Sequence, residues 1–212
     1  MSTRIRRFPG MSISMIDLRK MPPSARIALV AIALLNVIAA GIWCAYYDTY
    51  HFAVVRDGVL YRDGVRSPRE FATAYRKSQF KTVVNLVSDA EFSRDEFQNE
   101  VALCREKGVD LIRIPIKEGG QPSDRDVEQF LKIAQDQSKW PVLVHCAQGI
   151  QRTGMMVASY QKRVLGYDKQ KAIDSVLGFG KGKERTDAVK GFIESAYSNR
   201  GSETASAPSV AE

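Results

Sequence analysis

Pro141-Val142-Leu143-Val144-His145-Cys146-Ala147-Gln148-Gly149-Ile150-Gln151-Arg152-Thr153-Gly154 is the stretch on which the fold turns. Its first residues form a short apolar run with a polar end, the pattern of a buried strand. From about Arg152 the sequence opens a helix. A loop between such a strand and a helix points successive backbone N–H groups into one concavity, and the helix adds its positive end. The cradle suits a tetrahedral dianion, with Ala147, Gln148, Gly149, Ile150, Gln151 and Arg152 around it. Gly149 permits a turn that a Cβ would hinder. Arg152, on the first helical turn, can present its planar guanidinium to two phosphate oxygens. The same field stabilises a thiolate at Cys146, which makes it a candidate nucleophile toward phosphorus. The Thr153 hydroxyl can donate to that sulfur when it leaves. His145 orients the loop through hydrogen bonds and is not itself a base. A buried structural Cys with a surface Arg is the bland alternative, and it leaves the polar, Gly-containing loop unexplained.

Outward from this stretch the chain alternates strands and helices. Gly58–Arg62, Lys81–Val87 and Val109–Ile116 read as strands. Ser67-Pro68-Arg69-Glu70 starts a helix with a cap, a Pro at the first position and a Glu three residues on. A second helix runs from about Glu91 to Gly108. Ser123 caps a third that reaches about Gln137. Two or three more follow Thr153, with a break at Gly166 and a Gly/Lys-rich turn from Gly178 to Lys183. The pattern predicts an α/β domain of three layers, a central, largely parallel sheet flanked by helices. Ligands of such sheets bind beyond the carboxyl ends of the strands, where the strand ending at His145 delivers Cys146.

His145, Cys146, Arg152 and Thr153 match every fixed position of an H-C-x5-R-T signature. The chain thereby resembles the protein tyrosine phosphatase superfamily. Arg56-Asp57-Gly58-Val59-Leu60-Tyr61-Arg62-Asp63-Gly64, the strand Lys81–Leu86 and Ile112–Ile116 look like its compact dual-specificity branch. The resemblance runs from about Phe52 to Tyr197. It implies the cysteine-dependent phosphatase fold and two-step phosphomonoester hydrolysis through a phosphocysteine, with no metal and no cofactor. It also implies a general acid on the loop after Ile114-Pro115-Ile116, commonly Asp. Here Glu118 stands in that place, followed by two glycines that let a loop move. Asp124 is the second candidate. Asp126 fits a capping box with Ser123 and has a structural explanation.

Ile27–Tyr47 is an uncharged run of about 21 residues, the length that crosses a bilayer as a helix. Asn36 is its one strongly polar side chain, tolerable if it bonds back to the helix. Trp43, Tyr46 and Tyr47 lie at one end, where aromatic rings favour the interface. A signal anchor is expected in preference to a cleaved signal. The net charge is +7. Arg4, Arg6, Arg7, Arg19, Lys20 and Arg26, set against Asp17, place about +5 of it before the run. This bias predicts the N-terminus in the cytoplasm and the later domain outside it. About +2 remains for the rest, which argues against nucleic-acid binding. The expected organisation is a basic tail (1–26), a transmembrane segment (27–47), a phosphatase domain (52–198) and a disordered tail (199–212).

Of the three cysteines, Cys44 lies in the apolar run and Cys104 on a helical stripe with Phe97 and Val101, as a core residue. The partner expected is a phosphorylated protein or a small or lipid phosphomonoester, with the membrane engaged through the N-terminal helix. The uncharged loop side chains argue mildly against polyphosphorylated inositides. Lys181, Lys183 and Arg185 read as a solvated basic turn. A non-catalytic phosphate-binding module is the competing class. A sulfurtransferase is disfavoured by Arg152.

Overall fold

The computed structural model describes residues 21–47, 51–65, 67–179 and 183–198. The basic tail before Met21, the end after Ser198 and most of the Gly/Lys turn lie outside them, as do the side chains of Cys44, Tyr46 and Tyr47. Two units are described separately.

The first is helix α1, Pro23–Tyr47. At about 1.5 Å per residue it exceeds the roughly 30 Å of a hydrocarbon core. Pro23–Trp43 is long and apolar enough to cross a membrane and buries nothing within the structure. Asn36 Nδ2 donates to the Ile32 carbonyl at 2.8 Å, so its amide is partly satisfied within the helix.

The second unit is built on a five-stranded sheet. Its strands are β1 (Ala53–Arg56), β2 (Leu60–Gly64), β3 (Thr82–Asn85), β4 (Asp110–Arg113) and β5 (Val142–Cys146). Their order is β1-β2-β5-β3-β4. β5 pairs in parallel with β2 and β3, and β3 with β4. Only β1, which the sequence pattern did not reveal, runs antiparallel. Gly58, at φ +67°, makes the turn between β1 and β2, so the strand expected from Gly58 begins at Leu60 instead.

Alternation along the strands builds two cores. Val84, Val142 and Val144 face helices α5 (Asp124–Gln135), α6 (Gln151–Arg163), α7 (Lys169–Leu177) and α8 (Lys183–Ser198). Val83 and Leu143 face α2 (Pro68–Ser78) and α4 (Asp95–Lys107), with Phe71, Phe97 and Cys104. Burying each such aromatic contributes about 2 kcal/mol. The three-layer α/β architecture expected from the sequence is therefore observed.

The helix starts follow side-chain chemistry. Ser67 Oγ accepts the Glu70 N–H, and Ser123 with Asp126 forms a capping box. The helix expected from Glu91 to Gly108 is instead two. A one-turn helix α3 (Asp89–Phe92) is closed by a capping box between Ser88 and Glu91, and α4 restarts at Asp95. Glu91 is buried, and its carboxylate turns toward Ser88 and Arg152 rather than continuing a surface helix.

Candidate active site

β5 occupies the middle of the sheet and ends at Cys146. After four intervening residues, α6 begins at Gln151 without a side-chain cap on its first amides. The loop between them folds over the end of β2. Gly149 adopts φ +67°, and a Cβ there would lie 2.5 Å from the Asp63 carbonyl oxygen. A Cβ on Gly64 would lie equally close to the Gln148 carbonyl. The two backbones thus cross where only glycines fit.

Cys146 is buried, with 2% exposure, and lines a cavity of about 280 Å³. The Gly149 N–H donates to its sulfur at 3.2 Å. Burial pushes the Cys146 thiol up. The adjacent Arg152 charge, the Thr153 hydroxyl and the amides of Thr153 and Gln148 outweigh this, and the net effect is a lowered pKa. The Thr153 hydroxyl is buried and makes no full hydrogen bond, yet it lies close enough to the sulfur to contribute.

Arg152 is held from behind by a residue that the sequence pattern did not single out. Its Nη1 and Nη2 donate to the two Glu91 carboxylate oxygens at 2.6 and 2.9 Å. Nη1 also donates to the Ile116 carbonyl at 3.1 Å. Of the five guanidinium N–H groups, Nε and one Nη2 hydrogen are left over, one edge of the plane and enough for a bidentate clamp. Burial pushes Glu91 up, but Arg152 and Ser88 together hold it down at about 2. The Ser88–Glu91 spacing was the available signal, since it already forms a capping box.

Glu118 lines the same cavity as Cys146, Gln151 and Arg152. Gln151 Nε2 donates to the Gly119 carbonyl at 3.1 Å and so ties the loop that carries Glu118 to the loop that follows Cys146. Asp124, the other acid candidate, is exposed at the start of α5 and lines a separate groove with Val127, Lys162 and Tyr197. Asp126 is engaged with Ser123 Oγ at 2.7 Å. Ala147, Gln148 and Ile150 line the cavity around the sulfur. Arg185, expected as a solvated turn residue, also reaches this cavity and donates to Gln148 Oε1.

A second buried arginine, Arg62 of β2, donates from Nη2 to the Gly149 carbonyl at 2.6 Å. Its guanidinium lies 3.7 Å from the Phe179 ring centroid. Nothing in the local sequence marks it, because the contact spans 87 residues. His51 Nδ1 lies 2.8 Å from the Gln148 carbonyl oxygen. Cys104 is free and sits in the core on the other face of the sheet, where burial pushes its thiol up to about 12. Among the described residues no group of three or more His, Cys, Asp or Glu could hold a metal ion.

The family model described as "DSP-PTPase phosphatase fused to NAD+ Kinase" matches residues 59–193. The dual specificity protein phosphatase TpbA of Pseudomonas aeruginosa is 30% identical over 132 residues, which are 61% of this chain and 56% of TpbA. The probable NAD kinase 2, chloroplastic, of Oryza sativa subsp. japonica is 28% identical over 127 residues, 58% of this chain and 13% of that protein. The chain thus spans little more than half of TpbA and a small part of the kinase. Among solved structures, the core catalytic domain of the PP-IP phosphatase SIW14 from S. cerevisiae aligns with a TM-score of 0.57 and 19% identity, over 68% of this chain and 83% of that one. At that identity the likeness shows the shared fold. The chain belongs to the PTP-NADK family of DSP-PTPase phosphatases, a dual-specificity-like branch of the protein tyrosine phosphatase superfamily.

Proposed function

We propose that this chain hydrolyses phosphomonoesters through a phosphocysteine on Cys146. The observation that carries the reading is the Cys146 sulfur, which accepts the Gly149 N–H and lines one cavity with Arg152 and Glu118. The free edge of Arg152 and the loop amides hold the phosphoryl oxygens. The thiolate attacks phosphorus, an S–P bond forms and the bond to the leaving oxygen breaks. Glu118 protonates that oxygen. Water then attacks phosphorus, Glu118 takes its proton, and the S–P bond breaks to return thiolate and release inorganic phosphate. The Thr153 hydroxyl supports the departing sulfur.

Glu118 is preferred over Asp124 because it shares the cavity with the sulfur, while Asp124 lines another groove. The segment 27–47 serves as a membrane anchor, with 1–26 in the cytoplasm, the phosphatase domain 52–198 on the other side and 199–212 as a tail. Substrates are phosphoproteins or small or lipid phosphomonoesters held near that surface, where tethering raises effective concentration.

The test is hydrolysis of a synthetic aryl phosphate by the full chain in detergent. Turnover that is blocked by vanadate and lost in Cys146→Ser supports the reading. Phosphate binding without turnover would favour the non-catalytic module. Glu118→Gln is expected to slow poor leaving groups by about 10²-fold, and good ones far less. Equal loss on both would remove Glu118 from the acid role.

A further inference from the structure

Behind the phosphate loop lies a polar cluster that is shut off from solvent. Asn85 of β3, Glu100 of α4 and His145 of β5 are all fully buried. Asn85 Oδ1 accepts the Val87 N–H at 2.9 Å, which fixes the orientation of its amide. Its Nδ2 therefore faces Glu100, at 3.1 Å from each carboxylate oxygen. His145 Nε2 lies 3.1 Å from Glu100 Oε1, and its Nδ1 lies 3.4 Å from the Cys146 carbonyl oxygen.

The donor count favours one protonation pattern. Glu100 receives the Asn85 amide on both of its oxygens, which suits a carboxylate acting as an acceptor. The carbonyl of Cys146 is likewise only an acceptor. Both ring nitrogens of His145 thus lie against oxygen atoms, and a ring protonated on both nitrogens satisfies the two contacts together. That describes an imidazolium.

We propose that Glu100 is a positioning residue that keeps His145 doubly protonated, so that a fixed positive charge stands one residue from the Cys146 sulfur. The inference rests on the reading of Cys146 as a nucleophile. Its effect is to favour the thiolate and to lock the carbonyl from which the phosphate loop departs. The titratable groups facing His145 are Glu100 from α4, Asp63 from β2 and Cys146 beside it, and the Phe71 ring of α2 packs at 6.0 Å. Glu100 in turn faces Cys104. Burial alone would push His145 down. The Glu100 charge and hydrogen bond, then Asp63 and Cys146, reverse this and raise it.

The direct test is nitrogen NMR of the full chain in detergent micelles, labelled at histidine. The chain has two histidines, so a His51→Gln variant leaves the His145 signals alone. Protons on both His145 nitrogens at about pH 7.5 are expected. A neutral ring with one bare nitrogen would overturn the proposal. A second test uses Glu100→Gln, with Cys146→Ser as the background for other thiols. The midpoint pH for alkylation of Cys146 by iodoacetate should rise by about one unit, a tenfold loss of thiolate at fixed pH. An unmoved midpoint with lowered thermal stability would reduce Glu100 to a structural role. Neither readout needs turnover, so a chain that hydrolyses nothing would sink the phosphatase reading and leave this one standing.

Discussion

Arg152 and Arg62 are both buried, and both feel the charge of Cys146, but they are held in opposite ways. Arg152 is gripped by a carboxylate, which keeps its charge and aims one edge of its guanidinium at the cavity. Arg62 has no such grip. It holds a single carbonyl and stacks on Phe179, and among the described residues its Nε and Nη1 meet no hydrogen-bond partner. Burial lowers its pKa to about 10, against the pull of Cys146 and Asp63. The same side chain therefore does two jobs around one loop. In the proposed reaction Arg152 supplies charge to the phosphoryl group, and Arg62 holds the Gly149 carbonyl of the loop that carries the amides.

Arg152→Met should break this contrast most severely. Losing a guanidinium aimed at developing charge should cut kcat/KM for an aryl phosphate by about 10³-fold. Glu91→Gln comes next. It leaves Arg152 in place but unaimed, and about a 10²-fold loss is expected. This variant also has a pH signature. Glu91 is held at about 2, against an ordinary 4.5, so its stabilising effect is complete above pH 4.5 and is lost as pH falls toward 2. Urea unfolding should show a deficit of about 3 kcal/mol in Glu91→Gln at neutral pH, closing toward zero in acid.

Arg62→Met should cost only about tenfold in kcat/KM, because the loop can drift while its amides remain. Thermal stability should not fall, since the change removes two unmatched buried nitrogens and puts a thioether against the Phe179 ring in place of the guanidinium. An activity loss equal to that of Arg152→Met would erase the distinction between the two arginines.

The smallest effect on catalysis concerns Asp63, the neighbour of Arg62. Burial raises its carboxyl from 3.8 to about 8, against the Gly64 N–H and His145. The folded chain then holds a proton that the unfolded chain releases, so stability declines as pH rises from about 4 to 8. Asp63→Asn removes this decline. Its Tm advantage over the parent should widen by about 10 °C between pH 5 and 8.

What the sequence disclosed was local. The strand–loop–helix around Cys146, the caps at Ser67 and Ser123 and the Gly108 helix end are written in neighbouring residues, and each appears in the structure. What stayed hidden was contributed from a distance. Glu91 meets Arg152 across 61 positions, Glu100 meets His145 across 45, and Arg62 meets Gly149 across 87. A Glu in a helical run looks like surface until the fold turns it inward. Strand β1 went unread because Ala53–Arg56 is short and lies at the sheet edge, with alternate residues half-buried and exposed. Glu118 and Asp124 were both plausible acids by position, and only the folded loop separates their grooves.

The central claim is a covalent bond between Cys146 sulfur and phosphorus. Acid quenching of the full chain within milliseconds of mixing with an aryl phosphate, followed by peptide mass spectrometry, tests it directly. The account predicts phosphate on the peptide carrying Cys146, formed and consumed at rates that support steady-state turnover. Turnover with no phosphorylated cysteine, or with phosphate on another side chain, would contradict it.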